Sequence, residues 1–172
     1  MSEHRSERKR VRSLGAEGGP NPAMSGRAKS KGVLMARFTP VPTPDTEVFW
    51  DKAAEGELWL PRCGACASVF FYPRPFCPKC GSDDVEWFQA SGRGTVESFV
   101  INHTPAPGYE DDAPYAIAFV KLEEGPRLTS NLLEIEQSPE AISVGMPVEV
   151  VFEQRGDIAL PQFRPVLVGG AA

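Results

Sequence analysis

The chain has 172 residues, 41% of them hydrophobic and 24% charged, with a formal charge of −5, which suggests one or two small domains of globular composition. No apolar run is long enough to span a bilayer, and no secretory leader is recognisable, so a cytoplasmic, reducing setting without a membrane partner is expected. The charge is split: residues 1–37 carry nine Lys/Arg against three Glu, or +6, which leaves −11 for residues 38–172. Nucleic-acid affinity rests largely on phosphate neutralisation, so an acidic body argues against a nucleic-acid partner.

In chain order, residues 1–37 are rich in Ser, Gly, Arg and Lys without apolar periodicity and read as a disordered basic tail. Met24 and Met35 lie inside it, so Met1, Met24 and Met35 are all candidate starts. Residues 38–57 form an N-terminal helix segment. Thr43 suits the N-cap, Pro44 the first helical position, and Asp45 and Glu47 the first turn. The helix is expected to run to about Glu55 and stop at Gly56. Phe49 and Trp50 load it with apolar surface, which packs onto the next segment or docks a partner.

Residues 58–90 hold all four cysteines, in two C-x-x-C pairs: Cys63/Cys66 and Cys77/Cys80. Two such turns present four sulfurs as a tetrahedral metal set. Gly81, directly after the second pair, lets that turn curl back. A strand is expected over Ser68–Tyr72, between strands at Leu58–Leu60 and Val85–Ala90. A ribbon this small buries little core, so a metal would hold it together. Zinc is the expected ion; iron is open because the same sulfurs bind it. Two disulfides fit the spacing but not a reducing compartment. Four protein ligands close the site and argue for a structural role. With every cysteine so used, no thiol nucleophile remains.

Residues 91–168 read as strand after strand, with Pro and Gly (17 and 16 residues) favouring turns. Ser91–Gly94 is expected to turn. Gly94–Ile101 alternates, with Val96 and Val100 on one face and Glu97 and Phe99 on the other. A loop follows to Ala113. Pro114–Leu122 is apolar on both faces, as a buried strand is. Arg127–Ile135 is its hairpin partner. Ser138–Ile142 makes one helical turn. Val148–Glu153 and Ile158–Val168 close the set, with 169–172 as a short tail. No internal repeat is expected. The expected fold class is mainly β: helix, zinc ribbon, then a small OB-type barrel, with a sandwich the alternative that the strand pattern alone leaves open.

These pieces in this order resemble the DUF35 family, acyl-CoA-associated OB-fold proteins with a rubredoxin-like zinc ribbon. The resemblance is carried by Phe49-Trp50, Leu58 to Cys66, Cys77-Pro78-Lys79-Cys80-Gly81, Gly92-Arg93-Gly94-Thr95-Val96, Gly125 to Leu132, Val144 to Val148 and Phe163-Arg164-Pro165, spanning about residues 44–167. It implies a non-catalytic accessory or scaffold subunit. The implied partner is a thiolase-superfamily enzyme or a MaoC-like enoyl-CoA hydratase of lipid, polyketide or steroid metabolism. It also implies a position bordering the acyl-CoA. On that reading Phe49, Trp50, Phe70 and Phe71 are docking aromatics.

No catalytic residue is assigned, since no Ser/His/Asp set stands at a recognisable spacing. His103 and Arg93 are candidates to face an acyl-CoA, because Arg suits phosphate oxygens; against this, Arg93 reads as a turn residue between two glycines and His103 as an incidental loop residue. Two rival functions remain. A nucleic-acid-binding OB-fold module needs a basic, aromatic groove. An electron-transfer protein needs iron in the ribbon.

Overall fold

The computed structural model describes residues 38–166; the basic tail, the alternative starts and the C-terminal tail lie outside them. One helix, α1 (Glu47–Ala54), precedes seven strands: β1 (Trp59–Cys63), β2 (Val85–Gln89), β3 (Arg93–Asn102), β4 (Tyr115–Leu122), β5 (Arg127–Asn131), β6 (Pro147–Arg155) and β7 (Ile158–Pro165). β1 and β2 form an antiparallel pair, Trp59 opposite Gln89 and Cys63 opposite Val85. The other five form a sheet in the order β5-β4-β3-β6-β7, all neighbours antiparallel. A parallel bridge between Leu132 and Phe163 joins its two outer strands and closes it, the arrangement of an OB-type barrel.

Helix α1 starts later than the sequence suggests. Thr46, not Thr43, is the N-cap, and its side chain caps no helical N–H. The Thr46 hydroxyl instead accepts from the Thr43 N–H at 2.9 Å, so Thr43 to Thr46 is a turn that delivers the chain into the helix. The helix ends as expected at Glu55, with Gly56 at φ 82°.

Two strands differ in facing. β3 bulges between Val96 and Ser98. The extra residue shifts the pleat, so Val96 and Phe99 share the inner face and Val100 turns outward, 61% exposed. β4 is not buried on both faces. Ala116, Ala118, Val120 and Leu122 point inward, while Phe119 is 48% exposed and Lys121 is exposed. Val148, Val150 and Phe152 of β6 do share the core side.

Smaller corrections follow from hydrogen bonding. Arg93 and Gly94 belong to β3 rather than to a turn, and β5 stops at Asn131. Ser138–Ile142 does make the expected single helical turn, with the Ile142 N–H donating to the Ser138 carbonyl and Ile142 buried. Ser68–Tyr72 forms no strand; only Val69 bridges, to Arg62.

Candidate metal centre

Each C-x-x-C pair sits in a turn with the same hydrogen bonds. The Cys63 N–H donates to the Ser68 carbonyl and the Ala67 N–H to the Cys63 carbonyl; likewise Cys77 donates to Ser82 and Gly81 to Cys77, all at 2.8–3.0 Å. The reversal needs a left-handed residue just after the second cysteine. Gly81 has φ 76° and Ala67, against its side chain, φ 57°. The two knuckles are therefore one six-residue device used twice, Cys-Gly-Ala-Cys-Ala-Ser and Cys-Pro-Lys-Cys-Gly-Ser. That short repeat, in a chain expected to have none, was the available signal for Ala67, Ser68 and Ser82.

The knuckles face each other. Cys63 Sγ lies 3.6 Å from Cys80 Sγ, and Cys66 Sγ 3.7 Å from Cys77 Sγ. All four sulfurs fall within 4.8 Å of one another. Sulfurs placed tetrahedrally about 2.3 Å from a zinc ion stand about 3.8 Å apart. The donors thus fit a four-thiolate metal site, and all four cysteines are free of disulfides. Cys63 and Cys77 are buried, Cys66 is half-buried and Cys80 is exposed, so the site lies under one surface.

Electrostatics favour a cation there. Burial raises the Cys77 thiol, but the backbone N–H groups of Cys80 and Lys79 and the neighbouring thiols outweigh it and bring it down to about 6. The Ser82 N–H lowers Cys80, yet the Cys66 and Cys63 sulfurs push it up to about 12. Packed thiols resist losing all their protons without a metal charge to balance them.

The ribbon rests on the barrel through α1. Phe49 and Trp50 are 1% and 6% exposed. Phe49 meets Trp50 edge-on at 4.9 Å and Phe71 at 5.6 Å, and both helix aromatics join one core with Leu60 of β1, Val120 of β4 and Phe163 of β7. Phe70 is buried beside Cys63 and Cys77, and Phe71 is half-buried. Buried rings offer no docking surface, so Phe49, Trp50 and Phe70 are core rather than docking residues, and Phe71 packs against that core.

Arg93 and His103 are both exposed, but they flank opposite ends of β3. At about 3.3 Å per residue they stand roughly 30 Å apart and cannot meet one phosphate. The glycines beside Arg93 do more than permit a turn. A Cβ on Gly94 would lie 2.6 Å from the Lys121 carbonyl oxygen, and Gly92, at φ 71°, lies against Val150. No helix among the described residues is long and apolar enough to cross a membrane.

Comparison with known proteins extends these observations. Residues 50–86 match the rubredoxin-like zinc ribbon domain of ChsH2, and residues 87–153 its C-terminal OB-fold domain. A probable enoyl-CoA hydratase alpha subunit from Thermomonospora curvata is 37% identical over 77% of this chain and 46% of its own length. A DUF35 domain-containing scaffold protein from Pyrococcus furiosus is 41% identical over 60% of this chain and 82% of its own. The chain thus spans about half of the hydratase relative and most of the scaffold relative. A chain of the solved structure described as Ltp2-ChsH2(DUF35) aldolase superposes with a TM-score of 0.65 at 37% identity, covering 74% of this chain and 98% of that one. Four cysteines in paired knuckles, a five-stranded closed sheet and these matches lead to one assignment: the chain belongs to the DUF35 family, in which a rubredoxin-like zinc ribbon precedes an OB-fold domain.

Proposed function

We propose that the chain is a non-catalytic accessory subunit that binds and supports an enzyme acting on acyl-CoA, a thiolase-superfamily enzyme or a MaoC-like hydratase. The observation that carries this reading is the match to almost the whole DUF35 chain of an aldolase structure at 37% identity. The hydratase-alpha-subunit name of one relative and the scaffold name of another point the same way. The ribbon, residues 58–90, holds one zinc ion through Cys63, Cys66, Cys77 and Cys80. Zinc there supplies cross-linking of two knuckles that bury little apolar surface of their own. Four thiolates leave no open coordination position, so the ion is structural. The barrel, residues 91–168, is the platform for the enzyme.

The test is co-purification from the cell of origin, with the zinc-loaded full chain and a chain lacking residues 1–37. Recovery of a thiolase-like or hydratase protein at near one-to-one by both supports the accessory role. Nucleic acid recovered by both and resistant to moderate salt would overturn it in favour of a nucleic-acid-binding OB-fold. Zinc is tested separately by metal content: one zinc per colourless chain is expected, and a red protein carrying iron would overturn the structural-zinc assignment.

A further inference from the structure

The two knuckles are built alike but covered unequally. At the first, the Asp84 carboxylate lies against Gly64, and Cys66 is half-buried. At the second, Pro78 to Gly81 are all exposed, and a Cβ on Gly81 would meet nothing within 4 Å. Of the four ligand cysteines, Cys80 is the exposed one. Cys63 and Cys77, at 0% and 2% exposure, are closed to reagents in the folded ribbon. Among the described residues, the two sulfur pairs in hydrogen-bond range both run across the knuckles: Cys63 with Cys80 at 3.6 Å and Cys66 with Cys77 at 3.7 Å. The exposed sulfur therefore has a buried sulfur directly behind it.

A metal-bound thiolate keeps nucleophilic lone pairs, and oxidation of thiolates follows their exposure. We propose that Cys80 is an oxidation site, at which a hydroperoxide opens the ribbon through a Cys63–Cys80 disulfide. In the first step the Cys80 thiolate attacks one peroxide oxygen: an S–O bond forms, the O–O bond breaks, and hydroxide leaves. In the second the Cys63 thiolate attacks the Cys80 sulfur: the S–S bond forms, the S–O bond breaks, and a second hydroxide leaves. Each sulfur gives up one electron, the peroxide gains both, and two solvent protons convert the hydroxides to water. The two sulfurs close from 3.6 Å to about 2.05 Å, a movement within reach of two side chains on facing turns. Cys66 and Cys77 are then the thiolates left, too few to hold the ion. A thiol reductant reverses the change. The proposal goes beyond the accessory-subunit reading and does not need it; it rests on the four-thiolate zinc assignment.

The experiment adds hydrogen peroxide to the zinc-loaded full chain after its zinc content has been measured. A chromophoric chelator reads zinc release, a sulfenate-selective dione traps the first site oxidised, and mass spectrometry of non-reduced peptides maps the disulfide. The expected result is zinc release with the first label on Cys80, Cys63–Cys80 as the first disulfide, and zinc uptake restored by dithiothreitol. Cys80→His keeps a zinc ligand and removes the oxidisable sulfur from the exposed position, so zinc release should slow about tenfold or more, whereas Cys66→His should change it by less than about twofold. A loaded chain that keeps its zinc through a large molar excess of peroxide would overturn the proposal. So would a first label on Cys66, Cys77–Cys80 as the first disulfide, or unchanged zinc release from a zinc-loaded Cys80→His chain. A chain that takes up no zinc sinks the zinc assignment and this proposal with it, and the metal measurement shows that before any oxidant is added. The trapping on the wild-type chain stands by itself if neither variant folds.

Discussion

Ala67→Gly and Gly81→Ala should move metal affinity in opposite directions, because they probe one backbone position in two copies of the same turn. Ala67 holds φ 57° and Gly81 φ 76°. A left-handed conformation costs an L-residue roughly 1–2 kcal/mol, and glycine offsets about 0.5–1 kcal/mol of that gain by the extra freedom it loses on folding. The net change is about 0.5–1 kcal/mol: a gain for Ala67→Gly and a loss for Gly81→Ala. Packing barely enters. Ala67 is exposed, and a Cβ at Gly81 would meet nothing within 4 Å. A ribbon folded by its metal converts backbone strain into metal affinity, so each change amounts to about two- to fivefold in zinc dissociation constant. Competition against a chromophoric zinc chelator at fixed pH reads it directly. Weaker zinc binding by Ala67→Gly, or a shift of the same sign in both variants, would refute the equivalence of the two knuckles.

Three further outcomes follow. Cys77→Ser removes one of four thiolates; a quarter of a binding free energy on the order of 10 kcal/mol is about 2.5 kcal/mol, so zinc affinity should fall about 60-fold and the ribbon lose its amide-exchange protection, and a variant keeping full protection would contradict a structural metal. Phe49→Ala opens the core at a residue 1% exposed and should cost about 3–5 kcal/mol in urea unfolding, whereas Val48→Ala, on the exposed side of the same helix turn, should change stability by less than about 0.5 kcal/mol; equal effects would mean that Phe49 is not a core residue. Glu97 is held below the ordinary carboxylate range chiefly by its hydrogen bond to Arg127. A depressed folded-state pKa stabilises above the unfolded value of 4.5 and is lost as pH falls through the folded value. The small difference in melting temperature between the wild type and Glu97→Gln should therefore be present at neutral pH and vanish in acid; a difference that grows in acid would reverse the assignment.

What could be read from the residues was what is local. Two C-x-x-C pairs announce a metal site because both sulfurs of a pair hang from one turn, and the strands announce themselves by alternation and by the glycines and prolines between them. Facing was harder. Strict alternation puts Val96 and Val100 together, but a single bulge residue after Val96 reverses everything beyond it, and nothing in the local composition marks a bulge. The Thr-Pro-Asp-Thr-Glu start holds two plausible caps, and the one chosen depends on Thr46 bonding back to Thr43 as the chain arrives on the barrel. A phenylalanine and a tryptophan on a two-turn helix look alike to sequence whether they face a partner or their own core.

That last ambiguity has a physical resolution in the way the chain closes its barrel. β5 and β7 share no strand ladder: the Leu132–Phe163 bridge and the bonds from Ser130 and Asn131 to Pro161 and Gln162 hold them together. An unpaired gap between two strands of a small barrel exposes core to water unless something apolar covers it. Helix α1 packs against β7, β6 and β1, and its Phe49 and Trp50 are buried there in the shared core while Phe71 meets Phe49 from the ribbon side. Ribbon and barrel therefore share one core through one short helix. A metal that orders the knuckles also orders Phe70 and Phe71, and through Phe71 the underside of α1. Zinc lost from the ribbon should accordingly loosen a barrel that holds no ligand cysteine of its own. With the proposed metal bound, this coupling would extend the role of the four sulfurs from the ribbon to the whole described chain.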